Sequence, residues 1–203
     1  ETTGTVTYTF TASNALYNLI VNGSQTVSNI ALSIYGGFTH ATSNGTTTFT
    51  AGANAWTFGA TSGSYAITNI AGFTYDWPWT FGSAASTATW TLQNNLTLGA
   101  TRVLTFNTGT LDFNNKTLTG ASGITKVTGT FTLNNTGGTT LNANALAITH
   151  TSGTLNLGTN LTTTGAYTLT AGTLTLNSYT ITILSLSSSN SNVRSLDFTS
   201  LGQ

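Results

Sequence analysis

The chain has 203 residues, with four basic and four acidic side chains and no cysteine or methionine. Its charged fraction is 4%, whereas an ordinary soluble domain has roughly 25%. Four cations are too few to follow a phosphate backbone, so we expect no nucleic-acid partner. The absence of cysteine excludes disulfides and thiolate-bound metals.

The remaining composition predicts an all-β protein whose surface is made of hydroxyls and amides. There are 49 threonines and 21 asparagines, and both residue types are poor helix formers. No apolar run approaches the roughly 18 residues of a transmembrane helix, so no membrane span is expected. Few charges oppose association between copies, which favours a homo-oligomer or filament in an extracellular, cell-surface or virion-exterior location.

The first predicted strand covers residues 5–10. Its alternation places Val6, Tyr8 and Phe10 on one face and threonines on the other. We expect the edge of this strand to serve assembly, because it offers backbone groups to a neighbouring copy. Asn22-Gly23 and Asn44-Gly45 are candidate hairpin turns, since both residue types tolerate positive φ.

Residues 73–81 hold five aromatic side chains and the single proline of the chain. Aromatic rings beside a carboxylate are typical of sugar-binding sites and of protein interfaces. Tyr75, Asp76, Trp77 and Trp79 are therefore candidates for a subunit interface or for glycan contact. The alternative is that the rings fill the core and that Pro78 interrupts a strand.

The composition changes near residue 90, which predicts an aromatic-rich β domain at 1–90 and repeats at 91–203. The repeat reads glycine, threonine, apolar, any residue, apolar. Its four copies begin at Gly109, Gly129, Gly153 and Gly172. A nearly constant spacing of this kind, close to the lower end of the periods found in repeat proteins, predicts a β-solenoid, right-handed and β-helix-like, in the C-terminal half. Residues 1–90 form either a separate β domain or irregular solenoid turns.

The apolar positions of the four copies are predicted to stack as ladders inside the solenoid. The positions are Leu111 and Phe113, Phe131 and Leu133, Leu155 and Leu157, and Leu174 and Leu176. An antiparallel sandwich is the alternative fold. Parallel pairing between successive copies of the motif would decide between them.

Residues 112–120 and 172–182 resemble the Gly/Thr/Asn-rich β-solenoid repeats of phage fibre-like proteins and bacterial surface adhesins. Residues 187–198 look like a segment that often follows such repeats. The resemblance covers roughly residues 90–200, and it implies an extended exterior scaffold rather than a reaction.

The sequence shows no pattern typical of a catalytic, cofactor or metal site. Its three internal acids lie far apart, and no G-x-S-x-G motif flanks a serine. His40 and His150 are expected to be surface or partly buried polar groups, and Lys116 and Lys126 to be solvated. Six sequons offer possible N-glycosylation, at Asn22, Asn44, Asn95, Asn115, Asn134 and Asn160.

The function expected from these observations is that of a non-enzymatic structural protein, a fibre, filament or adhesin subunit that assembles through strand edges. The first alternative is a carbohydrate- or receptor-binding module that contacts cell-surface glycans through the aromatic segment. The second, which three internal acids disfavour, is a β-helix polysaccharide hydrolase or lyase.

Overall fold

The structure, a computed structural model, describes residues 6–8, 14–42, 45–143 and 146–198. Within these ranges all regular elements are strands, and no helix long and apolar enough to cross a membrane is present. The strands of the first half are β1 (Val6–Tyr8), β2 (Asn14–Leu16), β3 (Leu19–Asn22), β4 (Gln25–Val27), β5 (Leu32–Ile34), β6 (Phe38–Ala41), β7 (Thr47–Phe49), β8 (Trp56–Phe58), β9 (Ser64–Thr68), β10 (Thr74–Tyr75), β11 (Trp79–Phe81), β12 (Thr89–Leu92) and β13 (Leu96–Leu98). The strands of the second half are β14 (Val103–Phe106), β15 (Gly109–Asp112), β16 (Leu118–Thr119), β17 (Gly123–Lys126), β18 (Thr130–Asn134), β19 (Thr140–Asn142), β20 (Ala147–His150), β21 (Thr154–Leu157), β22 (Asn160–Thr162), β23 (Ala166–Leu169), β24 (Gly172–Thr175), β25 (Ile181–Thr182), β26 (Ser185–Ser187) and β27 (Arg194–Asp197).

The strands stack in parallel into a β-solenoid of about eight turns. Two nine-stranded sheets run along its length: the first sheet joins every third strand from β2 to β26, and the second joins every third strand from β3 to β27. Three short sheets of three strands each cover the remaining side. Trp56 pairs with Trp79 and Ile148 pairs with Tyr167, in each case one turn further along the chain. The predicted all-β solenoid is confirmed, and the parallel pairing excludes the antiparallel sandwich.

The sheets also run through the predicted domain boundary. That boundary falls inside β12, which pairs with β9 on one side and with β15 on the other. One cluster of buried apolar side chains extends from Leu19 to Leu176. The described residues between 14 and 90 thus form solenoid turns of the same architecture as those after residue 90.

The motif glycines lie at the corner that leads into the second sheet. Gly129, Gly153 and Gly172 have φ angles of 58°, 76° and 96°. Residues that carry a Cβ rarely adopt this region of backbone conformation. A Cβ on Gly153 would lie 2.3 Å from the Gly129 carbonyl oxygen, and one on Gly172 would lie 2.2 Å from the Gly153 oxygen. Glycine is therefore required here both by the backbone angle and by the close approach of the turn below.

The first motif copy is not in the predicted register. Leu111 pairs with Leu133, and Gly109 pairs with Phe131, so that this glycine lies opposite the first apolar position of the next copy rather than opposite its glycine. The Phe131 ring stacks on Phe106 with a centroid distance of 4.3 Å, whereas a Cβ on Gly109 would lie 2.9 Å from the Trp90 ring of the turn below. The other copies follow the motif, since Phe131 pairs with Leu155 and Leu155 with Leu174.

The prediction of a hairpin at Asn22-Gly23 is wrong. Gly23 has a positive φ of 114°, but the strands on either side, β3 and β4, belong to different sheets. The pair turns a corner of the solenoid, which needs the same backbone freedom as a tight hairpin. Asn44 of the second predicted hairpin lies outside the described residues.

Candidate functional site

The aromatic segment lies in the core. Tyr75 and Trp79 are 0% exposed and Trp77 is 1% exposed. The Trp77 ring lies 4.6 Å from the Trp56 ring, and Tyr75 lies 5.4 Å from Trp79, between ring centroids. The interpretation of these three rings as an interface or glycan contact is therefore wrong, because none of them has surface to offer. The structure agrees with the core alternative.

Asp76 is the member of this predicted site that reaches the surface. Its side chain is 41% exposed, and its Oδ1 accepts a hydrogen bond from Nε of Arg102 at 2.6 Å. A Cβ on Gly99 would come within 2.0 Å of the same oxygen, so glycine makes room for the carboxylate. The ion pair links two successive turns, and at this exposure it contributes less than about 1 kcal/mol.

His40 is buried next to the aromatic segment and forms a hydrogen bond with Tyr75. Its Nδ1 is 2.9 Å from the Tyr75 hydroxyl, which also accepts the Ile70 N–H at 3.0 Å. Burial lowers the pKa of His40 to about 4 and raises that of Tyr75. At neutral pH both side chains are uncharged parts of the core.

Lys126 is buried, which corrects the expectation that it is solvated. It is 0% exposed, and its Nζ donates to the carbonyl oxygens of Asn107, at 3.0 Å, and Thr128. Burial lowers the pKa of Lys126 to about 8. The ammonium group thus satisfies carbonyl oxygens at two successive corners of the solenoid.

His150 occupies the position that pairs with Lys126 in the next turn. Its Nε2 donates to the Gly153 oxygen at 3.1 Å, and its Nδ1 accepts the Tyr167 hydroxyl at 2.9 Å. Burial, together with the charge of Lys126, lowers the pKa of His150. The side chains of Lys126, His150 and Tyr167 are all buried and hydrogen-bonded within the chain. This cluster therefore stabilises the corners of the solenoid.

Asp112 is a buried acid that joins two turns. Its Oδ1 accepts the backbone N–H groups of Asn114 and Thr136, both at 2.8 Å. Its Oδ2 accepts the Thr136 hydroxyl at 2.5 Å and the Asn134 amide at 3.3 Å. Both carboxylate oxygens of Asp112 are therefore already used in hydrogen bonds that hold this corner of the solenoid. In the part of the chain that the structure describes, no group of three or more His, Asp or Glu side chains is placed to hold a metal ion.

The predicted strand edge at the N-terminus is described in part. β1 covers Val6 and Tyr8, pairs in parallel with β4 and is the outermost strand of its short sheet. Phe10 lies outside the described residues. The use of this edge for assembly stays a prediction.

The last described rung of the solenoid exposes apolar side chains. β26 and β27 are the outermost strands of the two long sheets, and no described strand pairs with their outer sides. Leu186 is 47% exposed, although its partner Tyr167 in the turn below is 0% exposed. Leu196 is 39% exposed and its partner Leu174 is 2% exposed. We call β26 and β27, with the exposed Leu184, Val193 and Phe198 beside them, the open rung.

The sequence reasoning missed the open rung. The alternation of apolar residues does place Leu186 and Leu196 in the inward columns. Which rung lacks a neighbour is a property of the stack, however, and no local pattern in the sequence reports it.

The sequons differ in environment. Asn95 and Asn115 are exposed, whereas Asn22, Asn134 and Asn160 are partly buried. The Asn160 Oδ1 accepts the Thr180 N–H at 2.9 Å. Asn44 lies outside the described residues.

Comparisons with protein-family models, with curated proteins and with solved structures give no match. The fold, with its Gly/Thr/Asn-rich strands, agrees with the solenoid part of the resemblance seen in the sequence. A relation to phage fibres or adhesins gains nothing from these comparisons, so the function has to be argued from the geometry.

Proposed function

We propose that the chain is a non-enzymatic structural subunit of an extracellular or virion appendage, such as a fibre, filament or adhesin, and that it assembles with copies of itself through strand edges. The observation that carries this proposal is the exposure of Leu186 and Leu196 on the open rung, at positions that are buried in the turn below.

Two properties of the open rung favour strand pairing. The outer sides of β26 and β27 present backbone N–H and C=O groups in the spacing of a parallel ladder, which is a template for another strand. A partner strand would also cover the exposed leucines and complete their columns. Since Leu186 is 47% and Leu196 39% exposed, burying the remaining surface of each would contribute about 1 kcal/mol.

The surface supports the same function. The chain has four charges of each sign, so there is little repulsion between copies and little for salt to screen. Backbone hydrogen bonds and apolar contacts persist at high ionic strength. We therefore expect assembly to survive high salt.

The alternatives have less support. The aromatic segment proposed for glycan binding is buried at Tyr75, Trp77 and Trp79. For a hydrolase or lyase, Asp76 is paired with Arg102 and Asp112 with the backbone of its own corner. No observation on the described residues favours either alternative at these positions.

The experiment compares lysine substitutions on inward and outward positions of the open rung. Leu186→Lys and Leu196→Lys place a charge in the apolar columns, whereas their neighbours Ser187→Lys and Ser195→Lys place it on the outer face. Sedimentation velocity and negative-stain microscopy, at low and high salt, report the assembly, and circular dichroism reports the fold.

We expect ordered oligomers of the unmodified chain at both salt concentrations. The two leucine variants should be folded monomers, and the two serine variants should still assemble. A monomeric unmodified chain at every concentration, or the same assembly in all four variants, would contradict the proposal.

A further inference from the structure

A groove of about 280 Å³ lies on the outer face of the second long sheet, across β3, β6 and β9. Its floor is low because two successive rungs carry almost no side chain there: Gly37 lies beside Ala66, next to the paired Phe38 and Ile67. A Cβ on Gly37 would lie 2.9 Å from the Ala66 carbonyl oxygen. The depression is thus built by residue choice on a face that otherwise carries threonines.

The walls of the groove combine apolar and polar groups. Ile20, 71% exposed, and Thr39 line one side, and Ser64 and Tyr65 line the other. Tyr17, which is 68% exposed, packs its ring against Tyr65 at 6.4 Å and 85°. Tyr65 thus lines the groove, and the exposed Tyr17 ring lies against it.

Some of these polar groups are held in place before any ligand arrives. The Oδ1 of Asn18, another lining residue, accepts the Gly37 N–H at 2.7 Å, which orients its amide with Nδ2 as donor. The Tyr65 hydroxyl donates to the Ser62 oxygen at 2.9 Å. Preorganised groups lose less conformational entropy on binding.

The lining selects a class of ligand. It contains an amide, two hydroxyls, an isoleucine and a tyrosine, and no charged side chain. A pyranose ring presents C–H faces that pack on apolar and aromatic surfaces and hydroxyls that bond to amides and hydroxyls. A charged sugar would find no counterion at this position.

We propose that this groove, with Tyr65 in its lining and Tyr17 against that ring, is a binding site for one ring of a neutral saccharide. The site is independent of the proposed assembly, since the residues that form it lie in the first three turns and the open rung is formed by the last described strands. In an assembled appendage it would repeat once per subunit, so that weak single contacts add up through multivalency.

The test uses the full chain on an array of neutral hexose and N-acetylhexosamine oligosaccharides beside sialylated and sulfated ones, followed by NMR titration with the strongest neutral probe. Tyr17→Ala removes an exposed ring and Ala66→Phe fills the floor. Thr132→Phe is the matched control, because it adds the same side chain to the same sheet face at β18, outside the groove.

We expect binding of neutral probes, a loss of about tenfold for each groove variant and no change for Thr132→Phe. Leu186→Lys, as a monomer, should lose the multivalent gain on the array but keep the single-site affinity in the NMR titration, which separates this site from assembly. The proposal is overturned if no neutral probe binds, if acidic probes bind more strongly, or if the groove variants change oligomeric state rather than glycan binding. The last result would identify the groove as a protein contact.

Discussion

The two halves of the solenoid share one architecture but fill it differently. From Leu32 through Trp56 and Trp79 to Leu104, the inward column is aromatic at its centre, and each turn takes a long stretch of chain. From Ile148 through Tyr167 to Leu186, both turns are shorter, as the numbers of the paired residues show. The backbone ladder thus stays in register although both the length of a turn and the volume of the inward side chains change along the stack.

The halves also treat buried polar atoms differently. In the aromatic half, the indole N–H groups of Trp56, Trp77, Trp79 and Trp90 have no hydrogen-bond partner among the described residues. In the other half, Lys126 and His150 are bonded to corner carbonyl oxygens. Both halves thus combine apolar area with bonded polar groups, such as the His40–Tyr75 pair in the first half, but among the described residues the unpaired indole N–H groups lie in the first half alone. Substitutions that remove one kind of contact at a time can separate these contributions.

The largest effect is expected from truncating the aromatic column. Trp79→Ala should lower the free energy of unfolding by about 4 kcal/mol, because it removes a large fully buried side chain and leaves a cavity. Leu155→Ala, in the aliphatic column, should cost about 3 kcal/mol for the same reason on a smaller volume. Both side chains are 0% exposed.

Urea unfolding followed by circular dichroism measures both values, with Thr80→Ala, on the outer face beside Trp79, as the control that should change little. Trp79→Phe should cost less than Trp79→Ala, because it keeps most of the ring area and removes the unpaired N–H. Equal losses at Thr80 and Trp79 would contradict the distinction between faces.

Next in size is the carboxylate that joins two turns in the second half. Asp112→Ala should cost about 2 kcal/mol, since it removes the acceptor of the part-buried backbone N–H groups of Asn114 and Thr136. Asp76→Ala removes an exposed partner of Arg102 and should cost less than about 1 kcal/mol. Thermal and urea unfolding of the two variants test this ranking. A larger loss of unfolding free energy in Asp76→Ala than in Asp112→Ala would contradict the prediction that Asp112 is the acid that stabilises the fold.

A pH-dependent effect of similar size is expected from Lys126. Its pKa is lowered from 10.5 to about 8, so between these values the unfolded chain holds a proton that the folded chain has released. The free energy of unfolding should therefore rise with pH, by about 2 kcal/mol between roughly pH 7 and 9.5. Above about pH 10 the buried tyrosines, whose pKa values are raised, should reverse the trend.

Lys126→Met should flatten this rise, and Lys116→Met should keep it. Urea unfolding at a series of pH values provides the measurement. At acid pH the free energy of unfolding changes in the same direction: the pKa of His40 is lowered from 6.5 to about 4, so stability should again rise with pH and fall as the pH falls through that window. A rise that persists in Lys126→Met would assign it to another group.

Much of the fold could be predicted because the solenoid repeats a local pattern. Period-two alternation identified the inward positions, and the recurring glycines identified the turns. The same alternation places Lys126 on the face of Ile124, and both are buried. Its burial was therefore implied by the pattern, although lysine is rarely found inside. Of the two carbonyl groups that it bonds, that of Thr128 lies two residues away, whereas that of Asn107 belongs to the preceding turn and follows only from the stacking.

The errors arose where contacts depend on register. Asp112 reaches Thr136 because β18 is shifted against β15 relative to the alignment of the motif glycines, and the motif spacing does not encode that shift. The buried rings of Tyr75, Trp77 and Trp79 fit alternation across Pro78, but composition alone did not separate core from interface. For the groove, Gly37 and Ala66 are brought together by a turn that is longer than any spacing between copies of the repeat.

The smallest effect on stability, and the sharpest contrast between neighbouring corners, concerns glycosylation. Asn115 and Asn95 are exposed, whereas the Asn134 Nδ2 donates to Asp112 and Thr136, both at 3.3 Å. Expressed in a host that glycosylates secreted proteins, the chain should carry sugar at Asn95 and Asn115 and none at Asn134, since modification there would replace a donor of the buried network.

Peptide mapping by mass spectrometry reads each site separately. Asn115→Gln should remove one glycan and leave the unfolding midpoint almost unchanged, and Asn134→Gln should leave the mass of attached sugar unchanged. Full glycosylation of Asn134 in a protein of unchanged stability would contradict the prediction. It would show that Asp112 joins the two turns without the hydrogen bond from the Asn134 amide.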